Sequence, residues 1–284
     1  MVIKLKEVDK VRATAVVEDL KDLVAVAMME SDINADIEQQ RRRLQNEALL
    51  LFEEGEPVRI SRKQLQPPSF VFSLEYRLTD GSVYEGGEVA LELEKVDKVL
   101  KSFNNEDEID IEFDADTGKC RFRRDYPRRT VTCTALSPGR FGAEWHWKSP
   151  YSYDSEKLTV FHNDEAIESA VACIPVNELH SELKRSAFTG FDKITLELKE
   201  GEFQLKLGSK LLYVESDISG VVRGEAHASY GAGFDNIIST LSRFGGDINL
   251  HVLTGGKFAT KKPLFIYYDN SRIKLHAIVP RVLE

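Results

Sequence analysis

Residues Glu88–Arg123 read EVALELEKVDKVLKSFNNEDEIDIEFDADTGKCRFR, and the hydrophobic period changes within them. EVALEL is a short apolar strand. Val96, Val99, Leu100 and Phe103 then recur at helical spacing, which predicts an amphipathic helix of about ten residues. An acidic turn follows, and Ile109, Ile111 and Phe113 alternate with Asp110 and Glu112 as on a half-buried strand. A second turn leads into another strand.

This order recurs. From Ala170, AVACIPVNELHSELKRSAFTGFDKITLELKEGEFQLKLG repeats it, with Leu179, Leu183 and Ala187 as the helix stripe and Ile194, Leu196 and Leu198 on one strand face. From Ala226, AHASYGAGFDNIISTLSRFGGDINLHVLTGGKFATKKPLFIYYD repeats it again, with Phe234, Ile237, Ile238 and Leu241 as the stripe. A fourth, less regular copy opens the chain. There VIKLKEV is expected as the strand and AVVEDLKDLVAVAMM as the helix, with Val16, Val17, Leu20, Val24 and Ala27 on one face. SDINADIEQQRRRLQNEALL predicts a second helix, inserted at about 31–46 and capped by Ser31 or Asn34, before the hairpin LLLFEEGEPVRISRK. Between the halves, LSPGRFGAEWHWKSPYSYDSEK has the composition of a connector. The expected class is α+β, with two similar domains of two helices each on antiparallel sheets: 1–134, a connector at 135–168, and 169–284.

Composition narrows the function. The 284 residues are 42% hydrophobic and 30% charged, enough for two domains with real cores. No run of about 18 apolar residues occurs and the N-terminus lacks a signal-peptide pattern, so a protein inside the cell with no membrane association is expected. Cys120, Cys133 and Cys173 are scattered in apolar contexts and are expected as core or near-core thiols rather than metal ligands. A net charge of −9 argues against general coating of nucleic acid, so any positive surface must be local. Asp110, Glu112 and Asp114 share one strand face and could hold a divalent metal, although alternating acids usually form a strand's wet side. No phosphate loop, H-E-x-x-H pair or G-x-S-x-G elbow occurs, and neither catalysis nor a cofactor is expected.

KVLKSFNNEDEIDIEF after EVALEL, the terminal PLFIYY with LHAIVPRVLE, and SYGAGFDNII resemble the proliferating cell nuclear antigen family of sliding clamps. The likeness covers about residues 69–135 and 168–284, and the first 68 residues only in order of elements. It implies a three-subunit ring with helices lining a channel for duplex DNA, assembled by a clamp loader, on which polymerases and other replication and repair enzymes dock. In a eukaryote such a protein is nuclear; in an archaeon or a viral host it is cytoplasmic.

The channel residues implied are Lys95, Lys98 and Lys101 on one helix, Lys184 and Arg185 on the next, Lys21 with Arg12 on the first, where they share the wet face with Glu18, Asp19 and Asp22, and Arg243 on the last. Arg41 and Arg42, in the basic run to Arg43, stand at the rim or in the channel. The alternative for all of these is a solvated helix face, with Glu38 pairing to the arginines. Arg121–Arg129, RFRRDYPRR, lies on hairpin strands and suits a rim or a subunit interface. The docking positions implied for short partner peptides are Gly231, Phe234, Pro263, Ala277, Val279 and Pro280, with Ala277 in place of a bulkier aromatic. Trp145 and Trp147 are expected to pack the connector. A heterotrimeric checkpoint-type subunit, or a clamp-fold scaffold that does not encircle DNA, is the alternative role.

Overall fold

The computed structural model of the chain describes residues 10–29, 47–62, 71–114, 116–141, 151–191, 193–208, 212–231 and 234–282. Two compact units, divided between Trp147 and Lys148 apart from two short segments, hold them.

In the first unit the chain runs β1 (Lys10–Val16), α1 (Val17–Met28), β2 (Glu47–Phe52), β3 (Val58–Arg62), β4 (Val71–Tyr76), β5 (Gly81–Glu85), β6 (Gly87–Glu92), α2 (Leu93–Leu100), β7 (Glu108–Asp114), β8 (Lys119–Arg124) and β9 (Arg129–Thr134). One sheet has the order β5-β1-β7-β8-β9, and β4-β3-β2-β6 hydrogen-bond in a second row. The pairing is crossed. β1 feeds α1 but pairs with β7, which leaves α2, in register Val16↔Glu108; β6 feeds α2 but pairs with β2, in register Glu47↔Glu92. Each helix therefore bridges the same two rows of strands, which brings α1 and α2 side by side.

The second unit repeats this. It contains β10 (Tyr151–Asp154), β11 (Thr159–His162), β12 (Glu165–Ile167), β13 (Ser169–Pro175), α3 (Val176–Arg185), β14 (Lys193–Lys199), β15 (Glu202–Gly208), β16 (Tyr213–Ile218), β17 (Val221–Arg223), β18 (Ala226–Gly231), α4 (Asp235–Leu241), β19 (Asp247–Leu253), β20 (Leu264–Asp269) and β21 (Ile273–Val279). The strand orders are β17-β13-β19-β20-β21 and β16-β15-β14-β18. β13 and β19 pair at Pro175↔Asp247, and β14 and β18 at Lys193↔Gly231, so α3 and α4 are set together by the same exchange.

The helices start directly from extended strand residues or a single turn, without side-chain caps. Instead an acid stands in each first turn, Glu18, Glu94, Glu178 and Asp235, where it meets the positive end of the helix dipole. Their buried stripes are Leu20, Leu23, Val24 and Ala27; Leu93, Val96 and Leu100; Val176, Leu179 and Leu183; and Ile237, Ile238 and Leu241. Ala187, expected in the third stripe, is exposed: α3 ends at Arg185, a 3₁₀ turn follows, and Gly190 closes it at φ 59°.

At the opening of the chain the described strand lies later than the one read from sequence. VIKLKEV lies outside the described residues, and the strand that pairs is KVRATAV, Lys10–Val16. Arg12 is thus a strand residue, 3.5 Å from Glu85 and 3.8 Å from Glu112, rather than a neighbour of the first helix's wet face. Asp19, read as solvent-facing, is buried. Its carboxylate accepts hydrogen bonds from Thr79 N at 2.6 Å, Asp80 N at 3.1 Å, Thr79 Oγ1 at 3.2 Å and Tyr76 Oη at 3.3 Å, fastening α1 to the β4–β5 turn. The inserted helix at 31–46, with Arg41 and Arg42, and Trp145 and Trp147 also lie outside the described residues.

The connector read between the halves is in part a packed element. β10, β11 and β12 form a small antiparallel sheet. Its Tyr151, Tyr153, Val160 and Ile167 cover Leu253, Phe265, Tyr267 and Ile278 of β19, β20 and β21. β20 is therefore buried on both faces from Leu264 to Tyr268, and period-2 alternation disappears from its sequence.

Two histidines sit within this aromatic layer. His251 Nδ1 is 3.0 Å from Ser169 Oγ and its Nε2 is 3.3 Å from Tyr153 Oη. The His276 ring centroid lies 5.3 Å from that of Tyr267. Burial holds His251 down to about 3 and, with the Lys274 charge, His276 down to about 4. Both fold as neutral rings, whereas in the unfolded chain they take up protons below about pH 6.5. Stability is therefore full above that pH and declines as the pH falls towards 4, by at most about 1.4 kcal/mol per histidine per pH unit. The urea midpoint of the chain should be lower at pH 5 than at pH 7, and His276→Phe should lose less over that interval than the parent.

Candidate nucleic-acid interface and docking surface

The solvent side of the helices carries the cations implied for a channel. On α2, Lys95, Lys98 and Lys101 are exposed at the surface opposite Val96 and Leu100. Lys184 and Arg185 end α3 and are exposed; Arg243 is exposed after α4; Lys21 is half-buried on α1. Within each unit the helix pairing thus puts cations from two neighbouring helices on one layer: Lys21 with the α2 lysines, and Lys184 and Arg185 with Arg243.

Several of these charges are engaged. Lys95 Nζ lies 2.6 Å from Glu92 Oε2, and this partner raises its pKa. Lys101 Nζ lies 2.6 Å from Asp97 Oδ2, Arg185 Nη1 lies 2.7 Å from Glu182 Oε1, and Lys21 Nζ donates to Asn105 Oδ1 at 2.6 Å. Lys98, Lys184 and Arg243 have no ion pair among the described residues. Glu18, Asp22, Glu94, Asp97, Glu178, Glu182 and Asp235 share the four helices with the cations, one carboxylate for each. In each unit the helix surface has long flexible cations but no net positive charge, which suits loose rather than tight contact with phosphates.

The acids on β7 do not gather round a vacant centre. Arg123 Nη2 reaches Asp110 at 2.9 Å, Arg121 Nη1 and Arg12 Nη2 approach Glu112 at 3.6 and 3.8 Å, and Asp114 accepts from Thr117 N at 3.2 Å. Asp110 and Glu112 are thus paired with arginines of β8 and β1. Among the described residues no cluster of His, Cys, Asp and Glu suited to a metal ion occurs.

The docking positions divide by depth. Phe234, Pro263, Ala277 and Val279 are buried, so as placed they offer no surface to a partner. Ala277 faces away from the aromatic layer and sits opposite Ile266, in the core of the second unit. Gly231 and Pro280 are half-buried, and the chain after them lies along β18: Arg281 bridges Tyr230, and Val282 N donates to Ser229 O at 2.9 Å. Val282 is 40% exposed. Of these positions it is therefore the tail from Pro280, not the closing strand, that is exposed. A Cβ on Gly231 would meet Val282 Cγ2 at 3.8 Å, an ordinary contact.

The sheet edges are a further feature: RFRRDYPRR was expected at a rim or subunit interface, and the acidic edge opposite in charge to it, β16, was not expected. β9 ends one sheet of the first unit and β16 ends one sheet of the second, each with one side unpaired among the described residues. Arg128 and Arg129 open β9, and Glu215 and Asp217 project from β16, all exposed. The basic run RFRRDYPRR and the acids of YVESDI were the available signals.

No protein-family model matches the sequence, and no curated protein matches it. Solved structures do. The proliferating cellular nuclear antigen of Entamoeba histolytica is similar with a TM-score of 0.66 at 11% identity, over 96% of this chain and 99% of that one. A proliferating cell nuclear antigen from A. fulgidus, bound to the C-terminal region of FEN-1, has a TM-score of 0.63 at 10% identity over 96% and 99% of the two chains. A putative DNA polymerase III beta subunit from Eubacterium rectale has a TM-score of 0.62 at 13% identity, over 99% of this chain and 67% of that one.

Burial predicts how the two parts of the C-terminus respond to change. Ala277→Phe should overpack the core and cost about 1–3 kcal/mol in urea unfolding. Truncation after Pro280 removes exposed contacts and should cost less than about 1 kcal/mol. These lines and crossings give the chain the fold of the sliding clamps.

Proposed function

We propose that the chain is a sliding clamp that closes into a ring around duplex DNA and holds replication and repair enzymes there. It works by tethering and not by catalysis. The observation that carries this reading is the pair of unpaired, oppositely charged edges, β9 and β16, on a clamp fold. When β9 of one copy adds to β16 of the next, the contact is head-to-tail, and a head-to-tail contact closes into a ring when its rotation permits. Main-chain hydrogen bonds would provide the seam, and Arg128 and Arg129 against Glu215 and Asp217 would set partner and direction. The layer of helices would then face the duplex, with Lys98, Lys184 and Arg243 free to meet phosphates in any sequence.

A channel with balanced charge suits retention by topology, since an enclosed duplex need not be gripped. The same balance also favours a second reading, a clamp-fold subunit that assembles with different chains or scaffolds proteins without encircling DNA. For partner enzymes, the tail from Pro280 beside Gly231 is the proposed place of contact. Its exposed backbone and Val282 suit a short peptide with an apolar anchor. We place the protein inside the cell, with the nucleic acid it serves.

Light scattering separates the two readings. A homotrimeric ring requires a species near three times 32.1 kDa. Arg128→Glu with Arg129→Glu should shift that species towards the monomer, and adding Glu215→Arg with Asp217→Arg should restore it. A parent chain that stays monomeric at tens of micromolar would contradict the homotrimer.

A further inference from the structure

Cys120 and Cys133 lie directly opposite each other across the β8–β9 hairpin. Both point to the inner side of the sheet: Cys120 beside Phe122 on β8, and Cys133 beside Val131 on β9, half-buried. The two thiols are near enough for each to shift the other's pKa. Directly opposed residues of an antiparallel pair have Cα atoms about 4.5–5.5 Å apart, a separation that a disulfide spans.

The two sulfurs are unequal. Cys133 is on the outermost strand and is accessible, and the Cys120 hydrogen bond and then the Lys95 ammonium draw its pKa below that of an ordinary thiol. Cys120 is fully buried, and its bond to Cys133 and its burial push its pKa well up. Cys120 also borders a small apolar cavity of about 30 Å³, which leaves its side chain room to turn. Cys173 stands on β13 of the second unit, and burial raises its pKa.

We propose that Cys120 and Cys133 form a reversible dithiol–disulfide site whose oxidant is a small disulfide of the glutathione class. Cys133 is the attacking sulfur. Its thiolate adds to one sulfur of RS–SR and expels RS⁻, leaving RS bound to Cys133. Cys120, on giving up its proton, attacks the Cys133 sulfur and expels the second RS⁻, which takes that proton. Two electrons pass from the cysteine pair to the small disulfide, and a small dithiol reverses the exchange. The product ties the sheet's edge strand to its neighbour. The chemistry belongs to the β8–β9 hairpin of the free chain, and closing β9 into a ring seam would slow it by covering Cys133.

The test is to incubate the folded full-length chain with oxidised glutathione, alkylate the remaining thiols and map the peptides. The expected result is an intramolecular Cys120–Cys133 link, an alkylated Cys173, and full reversal by dithiothreitol. Cys120→Ser should stop at a stable glutathione adduct on Cys133. Cys133→Ser should slow the reaction of Cys120 about tenfold or more. The proposal is overturned if Cys120 and Cys133 both remain alkylatable, if Cys173 reacts as fast as Cys133, or if the link forms only in denaturant.

Discussion

The crossed strand pairing around each helix pair is the constraint on which this structure depends. A strand that feeds one helix hydrogen-bonds to the strand that leaves or accompanies the other, at Val16↔Glu108 and Glu47↔Glu92 in the first unit and at Pro175↔Asp247 and Lys193↔Gly231 in the second. Neither helix of a pair can shift along its strands without breaking a ladder that its neighbour also needs. Two short helices, only seven or eight residues long in α4 and α2, are too short to persist alone in water. The ladders and the buried stripes hold them, and their polar sides become a surface of fixed geometry.

On the proposed reading, that surface would let a chain of net charge −9 meet nucleic acid. Charge is distributed by face rather than reduced overall. The helix layer is balanced, the β8–β9 hairpin is basic, and β16 is acidic. On the proposed reading, attraction between copies is specified by the edges, and the helix layer need only avoid repelling phosphate. A clamp that gripped DNA through many unpaired cations would bind tightly and slide poorly, so the ion pairs of Lys95, Lys101 and Arg185 are compatible with that role.

Much of the fold was legible because the repeated unit changes period at the same places each time. Val96 and Leu100, Leu179 and Leu183, and Ile237 and Leu241 each announced a helix, and Ile109, Ile111 and Phe113 a strand. What the sequence hid has identifiable physical causes. Asp19 looked like a solvent residue because its partners, Thr79 and Asp80, are 60 and 61 positions away. The strands at 151–167 looked like a connector because their apolar partners lie on β19, β20 and β21. Ala277 looked like a pocket wall because local alternation does not reveal that both faces of the final sheet are covered. The Cys120–Cys133 pair follows from hairpin register, which becomes readable only when the turn at Asp125–Arg128 is placed between its strands.

The most direct measurement of the central claim is retention on DNA whose topology is changed during the experiment. The chain, assembled on a nicked circular duplex, is separated from free protein by gel filtration at a salt concentration that abolishes simple binding, and the circle is then linearised with a restriction enzyme. Encirclement predicts that the protein stays with the circle and runs off after linearisation. Release from the intact circle at that salt, or equal retention on circle and line, would contradict it.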